Sequence, residues 1–208
     1  MLQYITNTEC SVSVVDQIRE VLAGGCRWVQ IRMKEATDDE IRIVVDQVKQ
    51  ECLDKGAFLL LDDRVELAKS LDVAGVHLGK DDMPPSQARV QLGGAAVIGV
   101  TANSGADIMS VAALDIDYYG FGPFDFTLTK KNLAPKLGLE GLRNLCEVLR
   151  QNRVDKPCVA VGGIKLADVD AIMETGVNGI AVSGAIANAK DIAKETERFL
   201  DALKQFER

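Results

Sequence analysis

The chain has one histidine, His77, one tryptophan, and only 5% aromatic residues among its 208. A single histidine excludes multi-histidine metal centres, and a Ser-His-Asp triad could be assembled only around His77. The cysteines (Cys10, Cys26, Cys52, Cys146 and Cys158) are scattered, odd in number and never spaced as CxxC. Neither a zinc site nor a disulfide framework is indicated, and they read as small apolar residues of a reducing compartment. No apolar run approaches membrane-spanning length, and the opening MLQYITNTEC lacks a basic region followed by an apolar one. A cytoplasmic protein without a membrane partner is the expectation. A basic excess is missing too: 24 Lys and Arg against 31 Asp and Glu leave a net charge of -7 and a pI of about 4.8. That disfavours nucleic acid as a partner. Chemistry in such a chain rests on charge, carboxylates and a hard metal.

What is present is a repeated pattern. With 47% hydrophobic and 26% charged residues, the chain can bury the core of one soluble domain. Short apolar runs at 2–5, 28–31, 58–61, 76–78, 96–100, 118–121, 158–161 and 180–182 mostly lie beside a glycine. Such runs fit strands buried on both faces of a parallel sheet. Helical patterns lie between them. Thr37-Asp38-Asp39-Glu40 reads as a capping box, followed by Ile41, Val44, Val45, Val48 and Cys52 at helical spacing. Val15, Ile18 and Leu22 form a stripe that stops at Gly24-Gly25. Leu142, Leu145, Cys146 and Leu149 make another, and Ile192, Phe199, Leu203 and Phe206 mark the last helix. Eight units of about 26 residues predict a single (β/α)8 TIM barrel over 1–208. An open doubly wound sheet is the competitor, and it fits eight sequential units less well.

Active sites of such barrels lie at the C-terminal strand ends. The second run ends in Gln30, Arg32 and Lys34, which alternation puts on one face as a comb for anions. An edge strand would also alternate, but a closed barrel has no edge. The third run ends in Asp62-Asp63-Arg64 and the fourth in Gly79-Lys80-Asp81-Asp82. Clustered carboxylates suit Mg²⁺, which commonly takes one or two Asp and fills its other positions with substrate phosphates. Helix N-capping is the competing use of these aspartates. His77 reads as a packed, hydrogen-bonded core residue rather than a base. Thr101 and Asn103 follow the fifth run. Gly162-Gly163 follows the seventh and Ser183-Gly184 the eighth, where bare N–H groups form a cup for a phosphate monoester. The segment GFGPFDFTLTKKNLAPKLGL at 120–139 places Thr127, Thr129, Lys130 and Lys131 in a long loop. Hydroxyls and ammonium groups at this density suit a phosphorylated ligand, and a solvated loop with its lysines in water fits the composition as well. Arg32, Lys34, Lys130 and a metal on Asp63 and Asp82 would carry enough charge for a pyrophosphate. The cup at Gly163 and Ser183 is sized for one phosphate.

These residues resemble the thiamine phosphate synthase family over nearly the whole chain. QIRMK at 30–34, DDRVELA at 62–68, GVHLGKDDMP at 75–84, GPFDFTLTKK at 122–131, VGGI and VSGAI occur in order and in register with its motifs. The resemblance implies joining of 4-amino-2-methyl-5-hydroxymethylpyrimidine diphosphate to 4-methyl-5-(2-hydroxyethyl)thiazole phosphate, with loss of pyrophosphate. It implies that Gln30 binds the pyrimidine, and that Arg32, Lys34 and Lys130 bind the diphosphate and assist its departure. Asp63 and Asp82 would hold Mg²⁺. Thr127, Thr129, Gly163, Val182 and Ser183 would surround the thiazole phosphate, with Asp62 and Thr101 also at the substrates. The partners implied are these small molecules; a homo-oligomer is compatible with the residues. Asp62 stands where the family usually has Asn, Lys80 where it has Gln, Thr101 where it has Ser, and Asn103 where His is common. An Asp62–Lys80 pair beside the metal is the expected compensation. A thiazole tautomerase of the same superfamily, a sugar-phosphate isomerase by fold analogy and a non-catalytic phosphate-binding barrel are the alternatives. The first relies on the histidine that Asn103 replaces.

Overall fold

In the computed structural model, which describes residues 1–126 and 135–206, the apolar runs become eight parallel strands. They are β1 Leu2–Ile5, β2 Trp28–Ile31, β3 Phe58–Asp62, β4 Gly75–Leu78, β5 Val97–Ala102, β6 Tyr118–Phe121, β7 Cys158–Val161 and β8 Gly179–Val182. Each pairs with the next, and β8 returns to β1 with Leu2 opposite Ile180 and Tyr4 opposite Val182. That last pairing closes the expected barrel and removes the open sheet from consideration. The helices among the described residues are α1 Val14–Ala23, α2 Asp38–Asp54, α3 Val65–Leu71, α4 Pro85–Leu92, α5 Gly105–Val111, α6 Gly138–Gln151, α7 Val169–Met173, α8 Gly184–Ala187 and α9 Ile192–Lys204.

Strand alternation sorts the apolar side chains into two cores. Outward residues such as Tyr4, Val29, Ile31, Leu61, Val76, Ile98 and Phe121 pack against the helices. Inward Leu60, Tyr118, Val159 and Ala181 form a smaller core inside the barrel, with Ile5, Trp28, Val97 and Val161 against it. Full burial of one such aliphatic side chain contributes about 1.5–3 kcal/mol. The inner core leaves room for a phenol because β5 carries Gly99 there: a Cβ at Gly99 would lie 2.1 Å from the Tyr118 ring. Trp28 meets the same ring edge-on, 4.7 Å between centroids.

Helix boundaries follow local chemistry. The Thr37–Glu40 capping box forms at the head of α2. Ser13 caps α1 through the Asp16 N–H, and Gly24 ends that helix. Helix α9 stops at Lys204, so Phe206 lies in the turn beyond it rather than on its stripe. All five cysteines are free. No helix among the described residues is long and apolar enough to cross a membrane.

Candidate active site

A cavity of about 700 Å³ opens at the C-terminal strand ends. Of the residues expected at a site, Gln30, Arg32, Asp62, Thr101, Gly163, Val182 and Ser183 border it. Lys34, Asp63 and Asp82 stand outside this lining, on the β2–β4 rim. Thr127, Thr129 and Lys130 lie outside the described residues.

Of the expected comb only Gln30 lies on β2, which ends at Ile31; Arg32 and Lys34 follow the strand, and all three approach one carboxylate. Gln30 Nε2–H donates to Asp62 Oδ1 at 2.8 Å. Arg32 Nε is 3.7 Å from Asp62 Oδ2. Lys34 Nζ is 2.9 Å from that same oxygen, an ion-pair contact without hydrogen-bond geometry. Lys34 also comes within 4.0 Å of Asp82 Oδ2. The chain beyond β2 is anchored by Thr6, whose Oγ1 accepts from the Arg32 N–H at 2.9 Å. The expected Asp62–Lys80 pair does not form. Asp62 is the last inward residue of β3 and is held by β2, whereas Lys80 lies past β4 and bonds Asp107 Oδ2 at 2.7 Å in the first turn of α5. There, burial pushes the Asp107 carboxyl up, but hydrogen bonds from Lys80, the Asn103 N–H and Ser104 outweigh it and hold the carboxyl below its ordinary range.

Asp63 leaves the barrel through a left-handed turn. Asp63 has φ 65° and Arg64 φ 39°, a conformation that costs a non-glycine residue about 1–3 kcal/mol. Burial first, and then the charge of Asp82, push the Asp63 carboxyl up, with Lys34 opposing. The turn thus brings two carboxylates into mutual repulsion beside one ammonium group. Asp82 Oδ2 accepts from the Gly79 N–H at 2.6 Å. N-capping does not explain the aspartates at these strand ends: the N-cap positions of α3 and α4 are Arg64 and Pro84, with no side-chain cap bond.

The opposite side of the mouth is built from backbone. Gly162 and Gly163 have φ 100° and 69°. A Cβ at Gly163 would lie 2.5 Å from the Phe126 carbonyl oxygen. The chain after β6 is laid against this turn, with the Phe124 N–H on Val161 O (2.9 Å) and the Asp125 N–H on Gly162 O (3.0 Å). Its return is tied to the same stem, Leu137 N–H to Pro123 O at 2.9 Å and Gly138 N–H to Phe124 O at 3.0 Å. Ser183 Oγ is buried with no hydrogen-bond partner among the described residues. Val182 packs its side chain into the outer core, so it can offer a ligand only its backbone.

The cavity floor is a hydrogen-bonded row. Gln3 Nε2–H donates to the Tyr118 hydroxyl at 3.0 Å. That hydroxyl lies 2.9 Å from His77 Nδ1, and His77 Nε2 lies 3.0 Å from Thr101 Oγ1. Burial pushes the Tyr118 phenol far up, with the Gln3 bond opposing. His77 is thus packed and bonded as expected, yet it also borders the cavity. Asn103 borders it too, with its side-chain N–H on the Gly122 carbonyl. Sequence reasoning missed Gln3, Asn7, Lys165 and Asn188, all of which border the cavity. Only Gln3 left a signal, as the polar inward position of the first apolar run.

Among known proteins, the thiamine monophosphate synthase family model matches residues 2–186. A thiamine-phosphate synthase of Bacteroides fragilis is 52% identical over 200 residues, 96% of this chain and 98% of that protein. One from Flavobacterium psychrophilum is 40% identical over 190 residues, 91% and 92% of the two chains. The solved structure of thiamine phosphate pyrophosphorylase from Pyrococcus furiosus superimposes with a TM-score of 0.86 at 32% identity, over 98% of this chain and 95% of that one. A closed barrel with a charged rim facing a glycine-serine cup, matched along its length by these relatives, belongs to the thiamine monophosphate synthase family.

Proposed function

We infer that the chain is a thiamine-phosphate synthase, joining the pyrimidine diphosphate to the thiazole phosphate with release of pyrophosphate. The observation that carries this is the pairing of two differently built anion sites at one mouth. Arg32 and Lys34 supply cations on one side. Gly163 and the buried Ser183 hydroxyl, which has no partner among the described residues, supply neutral donors on the other. A reaction between a diphosphate and a monophosphate needs both, held so that the reacting carbon and nitrogen meet between them.

The leaving group is a pyrophosphate whose charge grows as its bond to the pyrimidine methylene breaks. Preorganised positive charge at that point lowers the barrier most. Arg32 and Lys34 would supply it, with Lys130 as the third cation the resemblance implies. The electron-rich aminopyrimidine stabilises the cation left behind, and the thiazole nitrogen then captures it. No protein nucleophile is required, which suits a chain with one histidine committed to the floor. The carboxylates fit Mg²⁺. Asp63 and Asp82 repel each other across the rim, and no set of three or more His, Cys, Asp or Glu gathers for a metal among the described residues. Two carboxylates leave most of the coordination sphere to phosphate oxygens and water, as Mg²⁺ prefers. When bound there, Mg²⁺ would add positive charge at the diphosphate. A cytoplasmic location is consistent with the free cysteines.

The tautomerase reading needs a base at position 103, and the Asn103 carboxamide has no titrating proton to offer. Incubating the protein with both substrates and Mg²⁺, and following thiamine phosphate by fluorescence after oxidation, tests the assignment. Product that EDTA abolishes is expected. No product under any metal condition would overturn the assignment.

A further inference from the structure

The five cysteines differ in what their sulfurs touch. Cys26 and Cys52 are 0% and 1% exposed, and the Cys26 thiol is spent on backbone, 3.3 Å from Trp28 O and 3.7 Å from Leu2 O. Cys10 is partly exposed, and its sulfur lies among Asn7 O, Val12 O and the Gln17 amide. Cys146 and Cys158 meet each other. Alternation turns Cys158, the first residue of β7, outward, while Val159 and Val161 face the inner core. Cys146 comes down on it from α6, one turn beyond the buried Leu142. Both sulfurs then border the turn between α7 and β8. A Cβ at Gly176 would lie 3.9 Å from Cys146 Sγ, and Cys158 Sγ lies 3.6 Å from Asn178 Oδ1. Beside that turn the Cys158 thiol donates a hydrogen bond to the Cys146 sulfur.

The two members are unequal. Cys158 is 2% exposed, whereas Cys146 is partly exposed. The bond from Cys158 holds the Cys146 thiol below its ordinary range, with burial opposing and the Arg150 guanidinium assisting. That same bond, and then burial, push the Cys158 thiol far up. The thiolate is the nucleophile, so the reachable sulfur is also the reactive one. We propose that Cys146 and Cys158 form a peroxide-reactive dithiol that closes to a disulfide between α6 and β7. The Cys146 thiolate attacks one oxygen of hydrogen peroxide and the O–O bond breaks. Hydroxide leaves, to be neutralised by the proton that Cys146 released, and Cys146 becomes a sulfenic acid. The Cys158 sulfur then attacks the sulfenic sulfur, the S–O bond breaks, and the departing hydroxyl takes the Cys158 proton as water. Two thiols lose two electrons, one peroxide gains them, and two waters form. A neighbouring thiol stops oxidation at this reversible rung, short of the irreversible sulfinic acid. A disulfide that forms and is reduced again is the kind a reducing compartment permits.

The test treats the folded protein with hydrogen peroxide, alkylates the remaining thiols and reads its tryptic peptides by mass spectrometry. Peptides 144–150 and 154–165 are expected to be joined, about 2 Da lighter than their sum, and to separate again with dithiothreitol. In Cys158→Ser, dimedone is expected to trap a sulfenic acid at Cys146 about tenfold or more faster than at the similarly exposed Cys10. In Cys146→Ser, Cys158 is expected to stay reduced. Wild-type peptides that remain separate while Cys146 passes to sulfinic acid would overturn the proposal. So would a Cys146 that peroxide oxidises no faster than Cys10, or a link that appears only in denaturant. The link is read in the wild-type chain, so the outcome stands even where a variant fails to fold.

Discussion

On the function proposed above, the two sides of the barrel mouth would hold phosphate by opposite means. At the ends of β2, β3 and β4, anion-binding power is carried by Arg32 and Lys34, and the resting protein balances them with Asp62 and Asp82. At the ends of β7 and β8, it is carried by glycine backbone and one buried hydroxyl, with a neighbouring segment laid across it. In that proposal the charged side would release pyrophosphate, and paired cations that can exchange partners suit such a role. The neutral side would keep its phosphate through the reaction, and there fixed dipoles would serve better than mobile charges.

The sharpest way to break the comparison is at Asp63. Asp63→Gly is expected to cut kcat/KM by about 100-fold or more, the scale of a lost electrostatic group. Its melting temperature is expected not to fall, because glycine adopts φ 65° freely and the repulsion with Asp82 disappears. Steady-state kinetics beside thermal denaturation checks both halves. On the neutral side, Gly163→Ala meets the Phe126 carbonyl and a left-handed backbone together. The KM for the thiazole phosphate is expected to rise about tenfold, with about 1–3 kcal/mol lost from stability, while the KM for the pyrimidine diphosphate stays within about twofold. Ionic strength gives a smaller and complementary contrast. Raising salt from about 0.05 to 0.3 M should weaken the pyrimidine diphosphate several-fold and the thiazole phosphate less, because screening acts on the partly exposed Lys34 more than on backbone dipoles.

The smallest effect belongs to Lys80. Its pair with Asp107 is partly exposed, and such pairs contribute about 0–1 kcal/mol. The folded Asp107 carboxyl lies below its unfolded value, so its contribution is present above about pH 4 and is lost as pH falls through the lower folded value. Lys80→Ala is therefore expected to lower the melting temperature slightly at neutral pH and not at all in strong acid, and to leave turnover within about twofold. Asp62→Asn and Lys80→Gln are expected to combine additively, since these residues do not touch.

Periodicity was enough to read the barrel, because strand alternation and helical stripes are local and each repeats eight times. The inward direction of Gln30 was legible for the same reason, whereas Arg32 and Lys34 lie beyond the end of β2. The convergence of the three on Asp62 was not legible, since it depends on how β2 and β3 sit side by side across the inside of a closed sheet. Lys80 was assigned the wrong partner on the same account: the approach of α5 to the end of β4 is a matter of packing, with no trace in nearby residues. The left-handed turn at Asp63 and Arg64 also escaped notice, because neither residue advertises it as glycine would. Asn7, Lys165 and Asn188 reach the cavity from turns, where position follows from the strands on either side rather than from the residues themselves.

Closure through β1 and β8 has a consequence for the making of the protein. During synthesis, β1 emerges well before its final neighbour, Gly179–Val182. At about 5–20 residues per second, that interval is roughly ten seconds or more. Throughout it, the nascent sheet exposes two raw edges, each able to pair with another chain. A ribosome that stalls before residue 179 would release a sheet that cannot become a barrel and is prone to join its neighbours. The four residues of β8 thus turn an open sheet into one with no edge.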